Sequence, residues 1–355
     1  MKIRPGPNSH GIAIIVALIA VLVLSALAAG FALSMKVETR LAFNANSETQ
    51  LYWLGRSGVE LARWVLAQEK CPYDSLNQIW AGGQGSDCET NGPLAGLSLD
   101  NYPVGVGIVS VKIVDLERKA NINAATGVEI QQALTLMGVD ANDISVVADS
   151  IHDWIDPDDL PGVAGAESDY YQGLVPPYYA KNAPIDDLSE LLLVRGVTQE
   201  MYYGGSATNH QPAAFQHKLG LGTAPGQAPN YPFGLVDVFT PVSNGKININ
   251  TADANVLQLI PGMDAVSAEN IIKLRSGPDG VDGTEDDTPF ENPGTALQTT
   301  GAPALAQQSA NLLTTRSSTF EVRVTAQIGV EKREYTAIVF RNSPTDIQIL
   351  SFYWK

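Results

Sequence analysis

From Ile12 to Met35 the chain carries no charged residue, and this apolar run follows a short leader that holds Lys2, Arg4 and His10 and ends at Gly11. Its length matches the roughly 20 residues a helix needs to cross a hydrocarbon core of about 30 Å. By the positive-inside rule the basic leader places the N-terminus on the cytoplasmic side. The bulk of the chain is then expected outside.

Three processing outcomes follow from such a start. A secretory signal peptide would be cut after its apolar region, where Ala26-Leu27-Ala28 offers a small-residue site, although this run exceeds the usual 7 to 15 residues of a signal h-region. A plain signal anchor would stay uncut. The third outcome, favoured here, is cleavage between Gly11 and Ile12, as by the prepilin peptidase of the type IV pilin superfamily.

The next segment supports the third outcome. From Lys36 to about Gln68 there is no Pro, only Gly55 and Gly58 interrupt, and Val37, Leu41, Leu51, Leu54, Val59, Leu61, Trp64 and Val65 recur with roughly helical spacing. One helix from Ile12 to Gln68 would be about 85 Å long at 1.5 Å per residue. That exceeds a bilayer, so its outer half must pack on a soluble domain. An apolar half followed by an amphipathic half laid on a sheet resembles pilins and pseudopilins.

Composition narrows the function classes. The chain has 355 residues and a net charge of -16. The length allows two domains, and the acidity argues against a nucleic-acid partner. Cys71 and Cys88 are the only cysteines. In an oxidising compartment they would pair and stabilise their loop by about 3 kcal/mol in the chain-entropy model; two free thiols are the alternative.

Val104 to Lys119 reads as a strand, as do Thr319 to Gln327, Glu331 to Arg341 and Asp346 to Tyr353. With the long helix they predict an α+β unit. The intervening Ala120 to Leu313 differs in kind and contains an internal echo. Lys119-Ala120-Asn121-Ile122-Asn123-Ala124-Ala125 returns as Lys246-Ile247-Asn248-Ile249-Asn250-Thr251-Ala252, each followed by a helical pattern and a Gly turn, at Met137-Gly138-Val139-Asp140 and Pro261-Gly262-Met263-Asp264. Leu188 to Val197 is a partial third copy. These units resemble helix-hairpin-helix modules, whose turns present backbone amides to a phosphate beside Lys and Arg. Here Asp264 stands where the second glycine is expected, and Asp140 is placed similarly. Between Asp140 and Asp169 there are nine acidic residues and no Lys or Arg. A packing role is therefore expected for the turns.

Two acidic clusters are candidate Ca²⁺ sites. In the first, Pro157 should end a helix and leave Asp156, Asp158 and Asp159 on a loop within reach of Glu167, with Asp153 and Asp169 nearby. Several hard oxygens on a flexible loop suit Ca²⁺; solvated carboxylates are the alternative, disfavoured because they crowd a helix C-terminus. The second comprises Asp279, Asp282, Glu285, Asp286 and Asp287, interleaved with Gly280 and Gly283. Its spacing is not that of an EF-hand. It looks more like the Asp/Gly calcium loops of extracellular proteins, and a solvated acidic turn is an equal alternative. His152 beside Asp153 suggests a proton relay only in isolation. Without a nucleophile motif, zinc spacing or phosphate loop, an enzyme is not expected.

The Gly11/Ile12 junction, Asp153-Trp154-Ile155-Asp156, Gly165-Ala166-Glu167 with Tyr170-Tyr171, Pro176-Pro177-Tyr178, Asn182, Ser189-Glu190-Leu191, Val194-Arg195-Gly196-Val197 and Asn248-Ile249-Asn250-Thr251-Ala252 together resemble the K-type minor pseudopilins of type II secretion systems, the general secretion pathway protein K family. The Cys71 to Cys88 loop, Gly204 to Asn230 and Asp279 to Asp287 look like local elaborations.

The resemblance implies a pilin-like α+β domain interrupted by a large helical domain, bound calcium, and a place at the pseudopilus tip, nucleating assembly and supporting export across the outer membrane. It also implies leader cleavage and N-methylation at Gly11 and Ile12 by prepilin peptidase, and an inner-membrane subunit with a periplasmic head. The expected partners are I- and J-type minor pseudopilins and the major pseudopilin, with no nucleic acid. The expected organisation is leader 1–11, transmembrane helix 12–35, amphipathic helix with cysteine loop and first strand 36–119, helical insert 120–313 and C-terminal strands 314–355. A minor pilin of a type IV pilus or DNA-uptake filament is the alternative within the superfamily, and an anchored helix-hairpin-helix DNA-binding protein the alternative outside it.

The residues add an argument for the tip. With Ile12 as the first mature residue the fifth is Val16, where most pilins carry a Glu that pairs with a neighbour's N-terminal amine. An unpaired carboxylate in the bilayer costs several kcal/mol, and a capping subunit can do without it. N-terminal mass spectrometry of the membrane-extracted protein should find a chain beginning at Ile12. A chain beginning near Ala29 would assign the leader to signal peptidase instead.

Overall fold

The computed structural model describes residues 9–89, 92–206, 231–299 and 311–354. Most of the leader (1–8) and much of the Gly204 to Asn230 stretch lie outside the described residues. Helix α1 spans Ser9–Gln68, and its stretch Ala13–Thr39 is long and apolar enough to cross a membrane. None of that stretch is buried within the chain.

Five antiparallel strands form one sheet: β1 (Tyr102–Val104), β2 (Gly107–Asp115), β3 (Thr319–Ile328), β4 (Glu331–Ser343) and β5 (Asp346–Trp354), hydrogen-bonded in that order. The strand expected over Val104 to Lys119 is present as β2 but shorter at both ends, and Gly105, at a φ of 56°, turns the chain between it and β1. Alternation then does the sorting. Val109, Val111 and Ile113 of β2, Phe320, Val322, Val324 and Ala326 of β3, and Tyr335, Ala337 and Val339 of β4 face one buried layer.

The outer part of α1 covers that layer with Leu51, Leu54, Val59, Ala62, Val65 and Leu66. Gly55 and Gly58 are the positions of closest approach. A Cβ at Gly55 would lie 2.3 Å from the Tyr335 ring, and one at Gly58 would lie 2.4 Å from Val324. The expected apolar stripe was too broad, since Val37, Leu41 and Trp64 are exposed. Contact with the sheet falls on the outer third of the helix.

The insert leaves the sheet at the end of β2 and returns at the start of β3. Asp115 is paired in register with Phe320, so exit and entry are neighbours and the insertion leaves the sheet ladder unbroken. The insert has its own core, including Ile122, Leu134, Ile151, Trp154, Tyr171, Leu191, Phe239, Ile249, Leu257 and Ile271. Its main helices are α2 (Gly127–Met137), α3 (Ala141–Ile155) and α4 (Ala265–Arg275). Thr126 and Glu129 form a capping box for α2, and left-handed Gly138 closes it.

The sequence echo has a structural meaning. Asn121 Oδ1 accepts from the Asn123 amide, as Asn248 Oδ1 accepts from that of Asn250. The second asparagine of each copy then binds one backbone unit through both ends of its amide. Asn123 holds the N–H and C=O of Ile185, and Asn250 holds those of Phe290. Each copy also pairs in parallel with a two-residue bridge strand, Phe239–Thr240 or Leu313–Thr314. The insert thus holds two versions of one module: an asparagine turn, a helix, a Gly turn, a second helix, an acidic loop, and a returning segment clamped by the asparagine. The helix expected near Val256 shrinks to one turn, Ala254–Leu257, and the partial third copy is a 3₁₀ helix, Leu188–Leu193.

Buried polar groups clasp the junction. Asp115 Oδ2 accepts from Thr251 Oγ1 (2.6 Å), Ser317 Oγ (2.7 Å) and Asn248 Nδ2 (3.2 Å). Glu117 accepts from the Ser318 amide and hydroxyl and the Thr319 amide. Asp74, from the loop after α1, accepts from the Ser317 amide and forms an ion pair with Arg341 of β4, both partners almost fully buried. Replacing Arg341 by Ala leaves Asp74 as an uncompensated buried charge and should cost about 3–5 kcal/mol, measured by denaturant titration of the detergent-solubilised chain. A loss below about 1 kcal/mol would show that the clasp is not structurally important.

Candidate metal centre

Helix α3 stops at Ile155 because Asp156 precedes Pro157, and Asp156 is extended with φ -72° and ψ 157°. The following loop folds back over the helix end. Asp153, still helical, accepts the Gly162 amide at 3.0 Å, and Asp149 accepts the Ala164 amide at 3.0 Å. A Cβ at Gly165 would sit 1.8 Å from Asp153 Oδ2, so only glycine fits there. Arg195 Nη1 donates to Gly165 O at 2.9 Å while its guanidinium lies 4.9 Å from the Tyr170 ring centre. Below the loop, Trp154 meets Tyr171 edge-on and Tyr171 stacks on Tyr178.

The fold-back brings Asp156, Asp158 and Glu167 together, with one carboxylate oxygen of each lying within 4.8 Å of the others. Both Glu167 carboxylate oxygens, Asp156 Oδ1 and Asn182 Oδ1 are buried without a hydrogen-bond partner among the described residues. Unpaired buried oxygens of this kind are costly. Four of them on three residues, three being carboxylate oxygens, are what a hard cation with six to eight oxygen ligands would satisfy.

Asn182 was in the family-like motif but outside the expected ligand set. Its backbone is left-handed (φ 48°), and its Nδ2 donates to Asp158 O at 2.7 Å. Asp159 accepts from the Ser168 amide and Asn182 Nδ2, so it braces the rim. Asp153 is engaged by the loop backbone, and Asp169 lies exposed in the first turn of the short helix Ser168–Gln172. His152 Nδ1 lies 3.2 Å from Asp156 Oδ2.

Electrostatics match the geometry. Burial, followed by the charges of Asp153, Asp156, Asp159 and Asp158, pushes Glu167 up to about 7. Burial also raises Asp153. The sign for stability follows. Between the ordinary carboxylate range and about 7 the folded state holds a proton that the unfolded state has lost, so stability falls as pH rises through that window. A bound cation would offset the loss by stabilising the ionised form.

The second acidic loop is organised differently. Asp282 pairs with Arg275 of α4 at 2.6 Å, Asp286 accepts the Asp279 amide and the Thr284 hydroxyl, Asp287 accepts the Gly283 amide, and Asp279 accepts the Val281 amide. Glu285 is exposed. Among the described residues no three of these carboxylates converge as those of the first loop do. Buried Arg275 also donates to Ile249 O and Ala252 O, which ties this loop to the second asparagine turn.

The hairpin turns give no phosphate nest. Asp264 caps α4 by accepting the Ser267 amide at 2.7 Å, and Asp140 caps α3 by accepting that of Asn142. In each copy a carboxylate occupies a helix N-terminus that a DNA phosphate would need.

Comparison with known proteins agrees with this architecture. Residues 111–204 match the family model described as type II secretion system (T2SS), protein K, and residues 242–282 match a helix-hairpin-helix motif. The type II secretion system protein K of Pseudomonas aeruginosa is 26% identical over 304 residues, covering 80% of this chain and 77% of that protein. That of Aeromonas hydrophila is 26% identical over 214 residues, covering 54% of this chain and 60% of its own. One solved structure, of the GspK-GspI-GspJ complex from enterotoxigenic Escherichia coli, superposes on 88% of this chain and 98% of its own with a TM-score of 0.63 at 18% identity.

The fold is that of a pilin-like subunit interrupted by a helical domain. In sequence the chain is similar to the type II secretion system protein K family, over residues 111–204 by the family model and over 80% of its length by the Pseudomonas aeruginosa relative.

With a chelator present, raising pH from 5 to 7.5 should lower the thermal midpoint of the detergent-solubilised chain by more than about 5 °C, and millimolar Ca²⁺ should restore it. Glu167→Gln should remove the Ca²⁺ response and reduce the pH response, whose remainder comes from buried Glu69 and Glu117. An unchanged midpoint in chelator would mean that the carboxylates are only solvated.

Proposed function

We propose that the protein is a non-enzymatic minor pseudopilin that caps and nucleates the pseudopilus and so supports protein export across the outer membrane. The observation that carries this reading is the helical insert standing on the end of the pilin-like sheet, where it would obstruct a further subunit stacked above. Val16 supports it from the other end of the molecule, since a capping subunit has no need of the intramembrane Glu described above.

In this reading prepilin peptidase cleaves between Gly11 and Ile12 and methylates the new amine. The apolar part of α1 spans the inner membrane with the head in the periplasm. Ca²⁺ is the hard cation held by Asp156, Asp158, Glu167 and the Asn182 carbonyl, with Asp159 bracing the rim. The ion would rigidify the loop that closes the insert's core over Trp154 and Tyr171. The second loop, Asp279 to Asp287, would take a cation only by giving up hydrogen bonds it already makes to its own backbone.

Assembly is read from the solved complex, in which a K-type chain is joined by an I-type and a J-type chain. We extend that composition to this chain, with the major pseudopilin as the next partner down the filament. Asp264 and Asp140, which occupy the hairpin N-termini, weigh against a DNA-binding role. Affinity purification of the tagged full-length chain from solubilised membranes should recover the I- and J-type subunits in near-equal amounts. Recovery of none of them, while the chain remains folded, would contradict the assembly role.

A further inference from the structure

The disulfide between Cys71 and Cys88 is asymmetric. Cys71 is fully buried, whereas Cys88 is exposed at the surface. Thiol–disulfide exchange depends on which sulfur can be attacked and on how readily the other leaves. An attacking thiolate reaches Cys88, so the buried Cys71 sulfur is the leaving group. A thiolate released into an apolar surround is costly, and the step needs a proton at that place.

The surroundings hold one. Ser86 Oγ lies 3.3 Å from Cys71 Sγ and 3.1 Å from Cys88 Sγ, and its hydroxyl is within 3.1 Å of Glu89 Oε2. Glu89 also accepts the amides of Ile79 and Ser86. Beside it is Glu69, 2% exposed, whose Oε1 accepts the Cys71 amide. A carboxylate oxygen of Glu69 lies within 4.8 Å of both sulfurs. Two buried carboxyls in contact cannot both ionise cheaply, so Glu69 keeps its proton.

We propose that Cys71–Cys88 is a reducible site for a dithiol, in which the buried Glu69–Glu89 pair, acting through the Ser86 hydroxyl, protonates the departing Cys71 sulfur. One thiolate of the dithiol attacks Cys88 Sγ, forming a mixed disulfide and breaking the Cys71–Cys88 bond. The electron pair goes to Cys71, which takes the Ser86 proton while Ser86 recovers one from the carboxyl pair. The second thiol of the dithiol then displaces Cys88 as a thiol. The protein disulfide is reduced and the dithiol becomes a disulfide. In reverse, the ionised pair accepts the Cys71 proton and prepares it to attack a disulfide oxidant.

The site is placed where opening it matters. Its loop carries Asp74, the partner of Arg341, and its Gln84 amide donates to Gly283 O in the insert's second acidic loop at 3.3 Å. Reduction would slacken the contact between the pilin-like domain and the insert. The charged groups facing Glu69 are Glu89 and Asp74, with Tyr73 close by. Arg341 is committed to Asp74, and the Arg316 guanidinium contacts the Cys71 carbonyl. Burial, together with the Glu89 and Asp74 charges, pushes Glu69 up to about 7, so the acid is charged with its proton at and below neutral pH.

The test is the rate of reduction of the detergent-solubilised full-length chain by dithiothreitol, followed by alkylation and mass measurement between pH 6 and 8.5. After correction for dithiothreitol ionisation, the wild-type rate should fall as pH rises through about 7. Glu69→Gln should be slower by about tenfold or more at pH 6.5, with a flat profile. Ser86→Ala, which leaves the carboxyl pair in place, should also be slower and serves if Glu69→Gln does not fold. Rates equal to or faster than wild type in the folded variants would overturn the proposal and leave a structural disulfide limited only by access.

Discussion

The buried clasp of Asp115, Glu117, Asp74 and Arg341 is the constraint on which the rest of this molecule depends. A large insert in a small pilin-like sheet is tolerable only if its two connections leave the ladder intact and its orientation is defined. The first condition is met by geometry, since β2 and β3 are neighbours and the insert leaves and returns beside the Asp115–Phe320 pair. The second is met by charge and hydrogen bonding. Asp115 draws the second asparagine turn, through Asn248 and Thr251, onto the returning segment at Ser317. Three carboxylates against one guanidinium leave excess negative charge, and burial with the Asp115 charge pushes Glu117 up to about 7. The dense hydrogen bonding to these groups is what makes their burial tolerable.

Duplication explains the insert better than any ligand does. Asn123 and Asn250 clamp a backbone unit in the same way, and Asp140 and Asp264 cap helices in equivalent places. The two copies diverge where each acidic loop meets its surroundings. In the first, Asp156 and Glu167 hold buried oxygens without hydrogen-bond partners among the described residues. In the second, Arg275 and the loop's own amides and hydroxyl neutralise the carboxylates. The same module therefore supplies a cation-ready pocket once and an internally satisfied loop once.

Much of this was legible in the chain. Charge-free length marked the inner part of α1, alternation marked β3 and β4, and the repeated Asn-Ile-Asn exposed the duplication. What could not be read is three-dimensional. The sheet-facing stripe of α1 was misjudged because Val37, Leu41 and Trp64 have helical spacing but no sheet opposite them. Asp153 is held by the Gly162 amide, a contact that no spacing announces, while one of its oxygens also lies within 4.8 Å of His152 and Asp156. Asn182 was passed over because its place in the pocket depends on a left-handed turn and on the loop folding back from Asp158. The unlike fates of the two acidic loops depend on Arg275, which carries no such signal at its place in the chain.

A head that would obstruct a subunit stacked above it and an apolar helix with Val16 in place of a charge both support the proposed place at the end of a filament. The most direct measurement is immunogold labelling of the insert on isolated pseudopili, with the ratio of this chain to the major pseudopilin quantified in the same preparation. Gold at one end only, with about one copy per filament, is the predicted result. Gold distributed along the shaft, with copy number rising with filament length, would contradict it.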